Sequence, residues 1–177
     1  MKKWFLVLGA GLMVSVALAS EVTFMFKSNK RVVDSITKNN KVLVEVGELS
    51  FALGVQHNTS GDNTTFYLGR KAKTTVPSVQ SGERNWEYVD PYMVAKNLNY
   101  SIKLEKITDA KTKVQSEVLV VNYTQKITCD DFIFWQDAQK FFNASSNLIA
   151  TDFEQRDPYN IDKSKDGLAC EFLPRAK

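Results

Sequence analysis

Apolar residues change their spacing several times along the chain, and each change marks an element. Val22-Thr23-Phe24-Met25-Phe26 alternates and is rich in β-formers, which predicts a strand. A polar turn over Lys27 to Lys30 and a short apolar pair, Val32-Val33, come next. Lys41 to Val46 predicts a second strand. Val46, Leu49, Leu53 and Val55 then fit one face of a short helix, and Gly54 stands where a helix C-cap belongs. Asn58 to Asn63 reads as a turn-rich loop, and Thr64 to Leu68 as the returning strand.

The same order then recurs. Trp86 to Val89 resembles the earlier strand, Asp90 can cap a helix, and Pro91 suits its first position. Met93, Val94 and Leu98 are expected to point inward, and Asn99 takes the place that Gly54 held. Strands are predicted over Tyr100 to Leu104 and Val118 to Val121. One offset aligns Val44 with Val89, Leu49 with Val94, Leu53 with Leu98 and Gly54 with Asn99. A constant offset is the mark of an internal repeat, with coincidence as the alternative.

The pattern K-V-L-V-E-V-G-E-L-S-F-A-L-G-V, followed by T-T-F-Y-L, resembles the copper amine oxidase-like N-terminal domain. The likeness covers about residues 22–122 and is clearest over about 30–70. It implies a strand, a short helix ending in Leu-Gly, and a hairpin. It does not imply copper: the chain has one histidine, His57, too few for such a site. His57 reads as a surface loop residue. Glu45 and Glu48, an isolated carboxylate pair, read as a solvated helix start.

The first nineteen residues have another character. Lys2 and Lys3 precede an apolar run from Trp4, which ends in Ala17-Leu18-Ala19. This is the layout of a secretory signal peptide with cleavage after Ala19. The run is short for a membrane-spanning helix, the alternative reading. Export places the protein outside the cell, in the periplasm or in the cell envelope. Of 23 basic and 20 acidic residues, two lysines lie in this leader, so the remainder is nearly neutral at +1. A balance of this kind lacks the basic footprint of a nucleic-acid binder.

Export also bears on the two cysteines, Cys129 and Cys170. An oxidising compartment makes a disulfide the expectation, against two free thiols or a two-thiolate metal site. Two thiolates alone do not complete a zinc tetrahedron. From Thr128 the pattern turns aromatic. Thr128 and Asp131 can cap a helix on which Phe132, Trp135, Ala138, Gln139 and Phe142 form a stripe flanked by Phe134 and Phe141. Such a stripe reads as core rather than as a stacking platform, because a segment of this size needs large side chains to bury enough area.

Further on stands Asp162-Lys163-Ser164-Lys165-Asp166-Gly167-Leu168-Ala169-Cys170-Glu171. Oxygen side chains at positions one, three and five with glycine at six match the opening of an EF-hand loop. Hard oxygen donors select calcium over softer metals. The C-D-D-F start, the Ala138-Gln139-Lys140-Phe141-Phe142 helix and the D-x-S-x-D-G-x-A-C-E-x-L-P ending together resemble the Excalibur calcium-binding domain over about residues 128–174. The resemblance implies Asp162, Asp166 and Glu171 as side-chain ligands. Ser164 stands where the family has aspartate, and the Leu168 carbonyl is a further donor. Asp157 can support the loop from outside. Serine for aspartate, together with Lys163 and Lys165, weakens the site, and a loop that has lost its ion is the alternative.

The expected fold class is α+β. Residues 1–19 form the signal peptide. Residues 20–123 form a module of short antiparallel strands with one or two short helices. Residues 127–177 form a small disulfide-closed helix with an EF-hand-like calcium loop. The expected role is a calcium-binding protein of the envelope or exterior, with a non-catalytic recognition or spacer module. A cell-wall or envelope polymer is its expected partner besides calcium. An accessory of an extracellular nuclease and a wall-polysaccharide binder are the alternatives. No cluster of acids with Arg or His suited to water activation on phosphate stands outside the loop. One histidine with paired cysteines leaves no nucleophile–base set.

Overall fold

The computed structural model describes residues 19–26, 29–70, 72–82, 85–108, 113, 115–146 and 156–176. The expected leader, apart from Ala19, lies outside the described residues. Strand β1 (Ala19–Phe26) pairs antiparallel with β2 (Asn29–Lys38), so cleavage after Ala19 would remove only the first of the eight residues of β1. Val32 and Val33 belong to this ten-residue β2, longer than an apolar pair suggests. Backbone pairing to β1 extends the strand through polar positions that carry no pattern of their own. No helix among the described residues is long and apolar enough to cross a membrane.

β2 passes to β3 (Lys41–Glu45), which runs directly into helix α1 (Val46–Leu53). Glu45 caps that helix by accepting from the backbone N–H groups of Gly47 and Glu48, and Glu48 accepts from Asp34 N. The pair is therefore part of the folded frame rather than a merely solvated start. Gly54 closes α1 in the left-handed region at φ +68°.

β4 (Gln56–Ser60) and β5 (Asn63–Leu68) form a tight hairpin through Gly61 and Asp62. The expected loop is thus mostly strand, and His57 lies on β4. The turn signal was genuine, but it needs only two residues. β6 (Ala72–Pro77) completes a three-stranded sheet in the order β4-β5-β6. β7 (Val79–Ser81) leads to β8 (Trp86–Val89) and helix α2 (Pro91–Asn97), capped by Asp90 with Pro91 at its start. Val94 and Leu98 are fully buried, while Met93 is 43% exposed and points outward, against expectation. Met93 neighbours Val94 in sequence, and adjacent helix positions face different directions. Asn99 takes φ +64°, close to Gly54. β9 (Tyr100–Thr108) and β10 (Gln115–Tyr123) close the main sheet, each longer than its apolar stretch.

The seven strands of that sheet lie in the order β7-β8-β3-β2-β1-β10-β9, with β10 parallel to β1. Val44 stands opposite Val89 where β3 and β8 pair antiparallel. These are equivalent positions of the suspected repeat. The two strand–helix units therefore meet antiparallel at those valines. The fold is sheet-dominated and α+β, with three α-helices among the described residues and a Cys129–Cys170 disulfide.

The C-terminal segment starts with a 3-10 turn at Cys129–Asp131 and then helix α3 (Trp135–Ser145). A single helix from Thr128 was expected. Phe132 and Phe134 are extended, so the helix begins only at Trp135. Thr128 closes the short turn as a donor: its N–H and hydroxyl both reach Asp131 Oδ2. Phe141, expected beside the stripe, is fully buried, whereas Phe134 is 37% exposed.

One apolar cluster runs through the whole molecule, from Phe24, Phe26 and Val44 through Leu53 and Leu98 to Phe141, Ile161 and Cys170. Phe26 meets Phe141 and Tyr159 edge-on, and Tyr123 meets both as well. Phe26 and Phe141, both fully buried, each contribute roughly 1.5–3 kcal/mol. Residues 127–176 thus complete the core that residues 20–123 leave open. Polar contacts fix the orientation. Asn29 Nδ2 donates to the carbonyls of Asn143, Ala144 and Ser146, Gln56 Nε2 to Asp137, and Lys140 Nζ to Ser50 Oγ. Tyr100 OH donates to Leu53 O, tying the second unit to the first.

Candidate functional site

After residues 147–155, which lie outside the described ones, the chain enters the acidic loop through Asp157. This residue is buried, and its carboxylate accepts from Asp162 N at 2.8 Å. Burial raises the Asp157 carboxyl above its ordinary value. Backbone N–H groups of Asp162, Tyr159 and Ile161 oppose the shift. Asp157 supports the loop as expected.

Asp162 is fully buried and turns back into the loop. Its Oδ1 accepts from Lys165 N at 2.9 Å and its Oδ2 from Gly167 N at 2.8 Å. Lys165 at φ +65° and Gly167 at φ +93° make the curl that aims both amides inward. Asp166 Oδ1 accepts from Leu168 N at 2.9 Å. The Leu168 side chain is exposed.

The centre of the arrangement is Ser164. Its hydroxyl oxygen lies 3.1 Å from Asp162 Oδ1, 3.0 Å from Asp166 Oδ1 and 2.6 Å from Glu171 Oε1. Residues spread over ten positions of sequence thus meet on one atom. Asp166 and Glu171 are on the exposed side and Asp162 on the buried side. Among the described residues, no group of three His, Cys, Asp or Glu side chains stands arranged to hold a metal ion. The carboxylates surround the hydroxyl, which itself occupies the space between them. No helix follows the loop: residues 169–172 are turns.

Helix α3 holds the loop by Gln139, a residue of the expected stripe and of the Ala138–Phe142 motif for which the sequence suggests no contact with the loop. Gln139 Nε2 donates to Gly167 O at 3.0 Å, and Gln139 Oε1 accepts from Ala169 N at 2.9 Å. A lone amide among aromatic positions is the signal that could have revealed this clasp. The disulfide fixes the other flank. Cys170 N donates to Ile161 O, and Cys170 takes φ +50° beside Cys129. The loop is therefore clamped at Asp157, at Gly167–Ala169 and at Cys170, while its acidic tips face solvent.

His57 lies away from this site. Desolvation lowers its pKa first, and the nearby Lys140 charge lowers it further, with Glu45 opposing. Desolvation likewise lowers the Lys140 pKa. Both belong to the contact between β4 and α3. No family model matches the chain, and no curated protein or solved structure is significantly similar to it.

Proposed function

We propose that this is an exported, non-catalytic protein whose Asp162–Glu171 loop takes calcium, with residues 20–123 as a recognition or spacer module. The observation that carries the reading is the meeting of three carboxylates on the Ser164 hydroxyl. That hydroxyl has one proton and can satisfy one of its three contacts with it. The other two set oxygen lone pairs against each other. A divalent cation relieves this by making the carboxylates and the hydroxyl common ligands. All donors are hard oxygens, which suits calcium. The resemblance of residues 128–174 to the Excalibur domain supports the same ligands: Asp162, Asp166 and Glu171, with Ser164 and the Leu168 carbonyl as lesser donors. The neutral serine and the exposed Lys163 and Lys165 favour weak binding, roughly 0.1–1 mM.

The test uses the whole chain, since residues 127–176 share their core with the rest. A ligand that binds only the folded state stabilises it by about 2.7 kcal/mol at 100 times its dissociation constant. Calcium at about 10 mM, well above the weak extracellular class, should therefore raise the melting temperature over that in chelator. Asp166→Ala and Glu171→Ala should each abolish the shift, and Lys163→Ala should enlarge it. Equal melting of the wild type in chelator and in calcium would sink the reading.

A second reading, binding of a wall polysaccharide, is favoured by one feature of the other module. A shallow groove of about 380 Å³ is lined by the exposed rings of Phe51 and Trp86 with Arg31, Glu45 and Glu48. Pull-down on cell-wall material, lost in a Phe51→Ala, Trp86→Ala double variant, would support it. A pull-down unchanged by that variant would reject it.

A further inference from the structure

The main sheet ends on one side in β7, only three residues long, and on the other in β9, nine residues long. An edge strand presents a row of backbone groups that another strand can pair. From Lys103 to Lys106 every side chain of β9 is exposed, and Leu104 is 58% exposed. Leu104 stands opposite Leu119 of β10 and so shares the face of the sheet that carries the core. There it borders a groove of about 440 Å³ lined by Val22, Val42, Pro91, Tyr92 and Leu119. Glu21, Asn40, Lys41, Asp90 and Glu117 also line the groove, and Pro91 and Tyr92 at the start of α2 form one wall of it.

The charges on the same edge identify what fits it. Lys103 and Glu105 flank Leu104 and point to the opposite face, because side chains alternate along a strand. Neither makes a salt bridge among the described residues. Lys106, on the Leu104 face, is already paired with Glu117 at 3.8 Å. When two antiparallel copies of this strand are centred on Leu104, each residue meets the one equally far on the other side of the centre. Lys103 then stands opposite the partner's Glu105, Glu105 opposite the partner's Lys103, and Leu104 opposite the partner's Leu104. A single strand thus carries both halves of a complementary pattern, as an isologous two-fold contact demands.

We infer that the protein forms a two-fold dimer through antiparallel pairing of β9 with β9 of a second copy, centred on Leu104. The two seven-stranded sheets become one continuous sheet. Two Lys–Glu pairs lie on one face, and a Leu–Leu contact beside the groove lies on the other. Opposite charges directly across a strand pair stabilise it, and like charges there do the reverse. The contact is small, so the dimer belongs to the weak, concentration-dependent class.

Sedimentation of the full exported chain over a range from about 1 to several hundred micromolar reads the association, with that range set by the small interface. A monomer–dimer equilibrium that weakens with salt is expected. Lys103→Glu puts glutamate opposite glutamate twice, and should weaken the dimer by about tenfold or more. Lys103→Glu combined with Glu105→Lys restores opposite charges and should restore the dimer. Leu104→Cys should cross-link under oxidation into a covalent dimer, since directly opposed residues have their Cβ atoms about 4.5–5.5 Å apart. Helix and sheet content by circular dichroism should stay unchanged in every variant, because all three side chains are exposed. A monomer at the highest concentration would overturn the inference. So would a dimer indifferent to Lys103→Glu, or a double variant that stays monomeric.

Discussion

The two strand–helix units are built alike and end alike, yet they are not interchangeable. β3 and α1 close at Gly54, and β8 and α2 close at Asn99, with φ +68° and +64°. The first unit is roofed by α3. A Cβ on Gly54 would lie 2.6 Å from Phe141 Cα and 2.9 Å from Ala144 Cβ. Among the described residues the second unit has no such roof: Asn99 is partly exposed, and its carbonyl accepts from Thr124 N and Thr124 Oγ1. Backbone geometry asks for a residue tolerant of positive φ at both places. Close packing then excludes asparagine at one of them. Repeated local structure thus sets the conformation, and the neighbour from elsewhere in the chain sets the residue.

The largest expected effect comes from loosening the roof. Replacing Cys129 and Cys170 together by serine should cost roughly 4 kcal/mol in the chain-entropy account. Hydrogen exchange should then speed up in α1, which packs on α3, more than in α2. Equal acceleration of both helices would erase the distinction drawn between the units.

Gly54→Ala comes next, at about 3 kcal/mol by denaturant unfolding. It combines the positive-φ penalty with forced displacement of the Phe141 backbone. Asn99→Ala isolates the conformational part and should cost about 1 kcal/mol. The difference between the two is the contribution of the roof. If both cost the same, α3 does not press on Gly54 in solution.

The smallest effect is a pH dependence belonging to the first unit. His57 has its pKa lowered in the folded state, by desolvation first and by Lys140 second. Between that lowered value and the ordinary 6.5, the unfolded chain binds more protons. Stability therefore falls as pH drops through this window and is fully present above 6.5. His57→Gln should flatten the melting temperature against pH there. An unchanged slope would assign it to other groups.

Local signals are legible where the chemistry is local. Asp90-Pro91 at a helix start, Gly54 at a helix end and the alternation of Val22 to Phe26 all specify backbone geometry without help from distant residues. The apolar pair Val32-Val33 and the apolar stretch of β9 are shorter than the strands that contain them, because β2 and β9 are extended by pairing with a neighbour. Met93 turns outward against the inward expectation, because hydrophobicity alone does not say which side of α2 meets the sheet. The helix expected from Thr128 begins only at Trp135, because Phe132 and Phe134 are extended, with Phe132 buried in the core and Phe134 exposed.

For the candidate site, spacing brings out Asp162, Ser164 and Asp166, and the family resemblance adds Glu171. A curled loop with glycine at its sixth position brings alternate side chains together whatever surrounds it. The pairing of Cys129 with Cys170 is likewise legible, there being two cysteines in the chain. The clasp by Gln139, the burial of Asp162 and the roof of α3 over Gly54 are not. Each depends on which surfaces meet after the sheet has formed, and that is settled by the shape of the shared core. The residues of the loop and of both helix caps are thus a property of the sequence. Their fusion into one body, with the acidic loop clamped beneath an aromatic helix, is a decision of tertiary packing, because close-packed surfaces select their partners by fit and not by pattern.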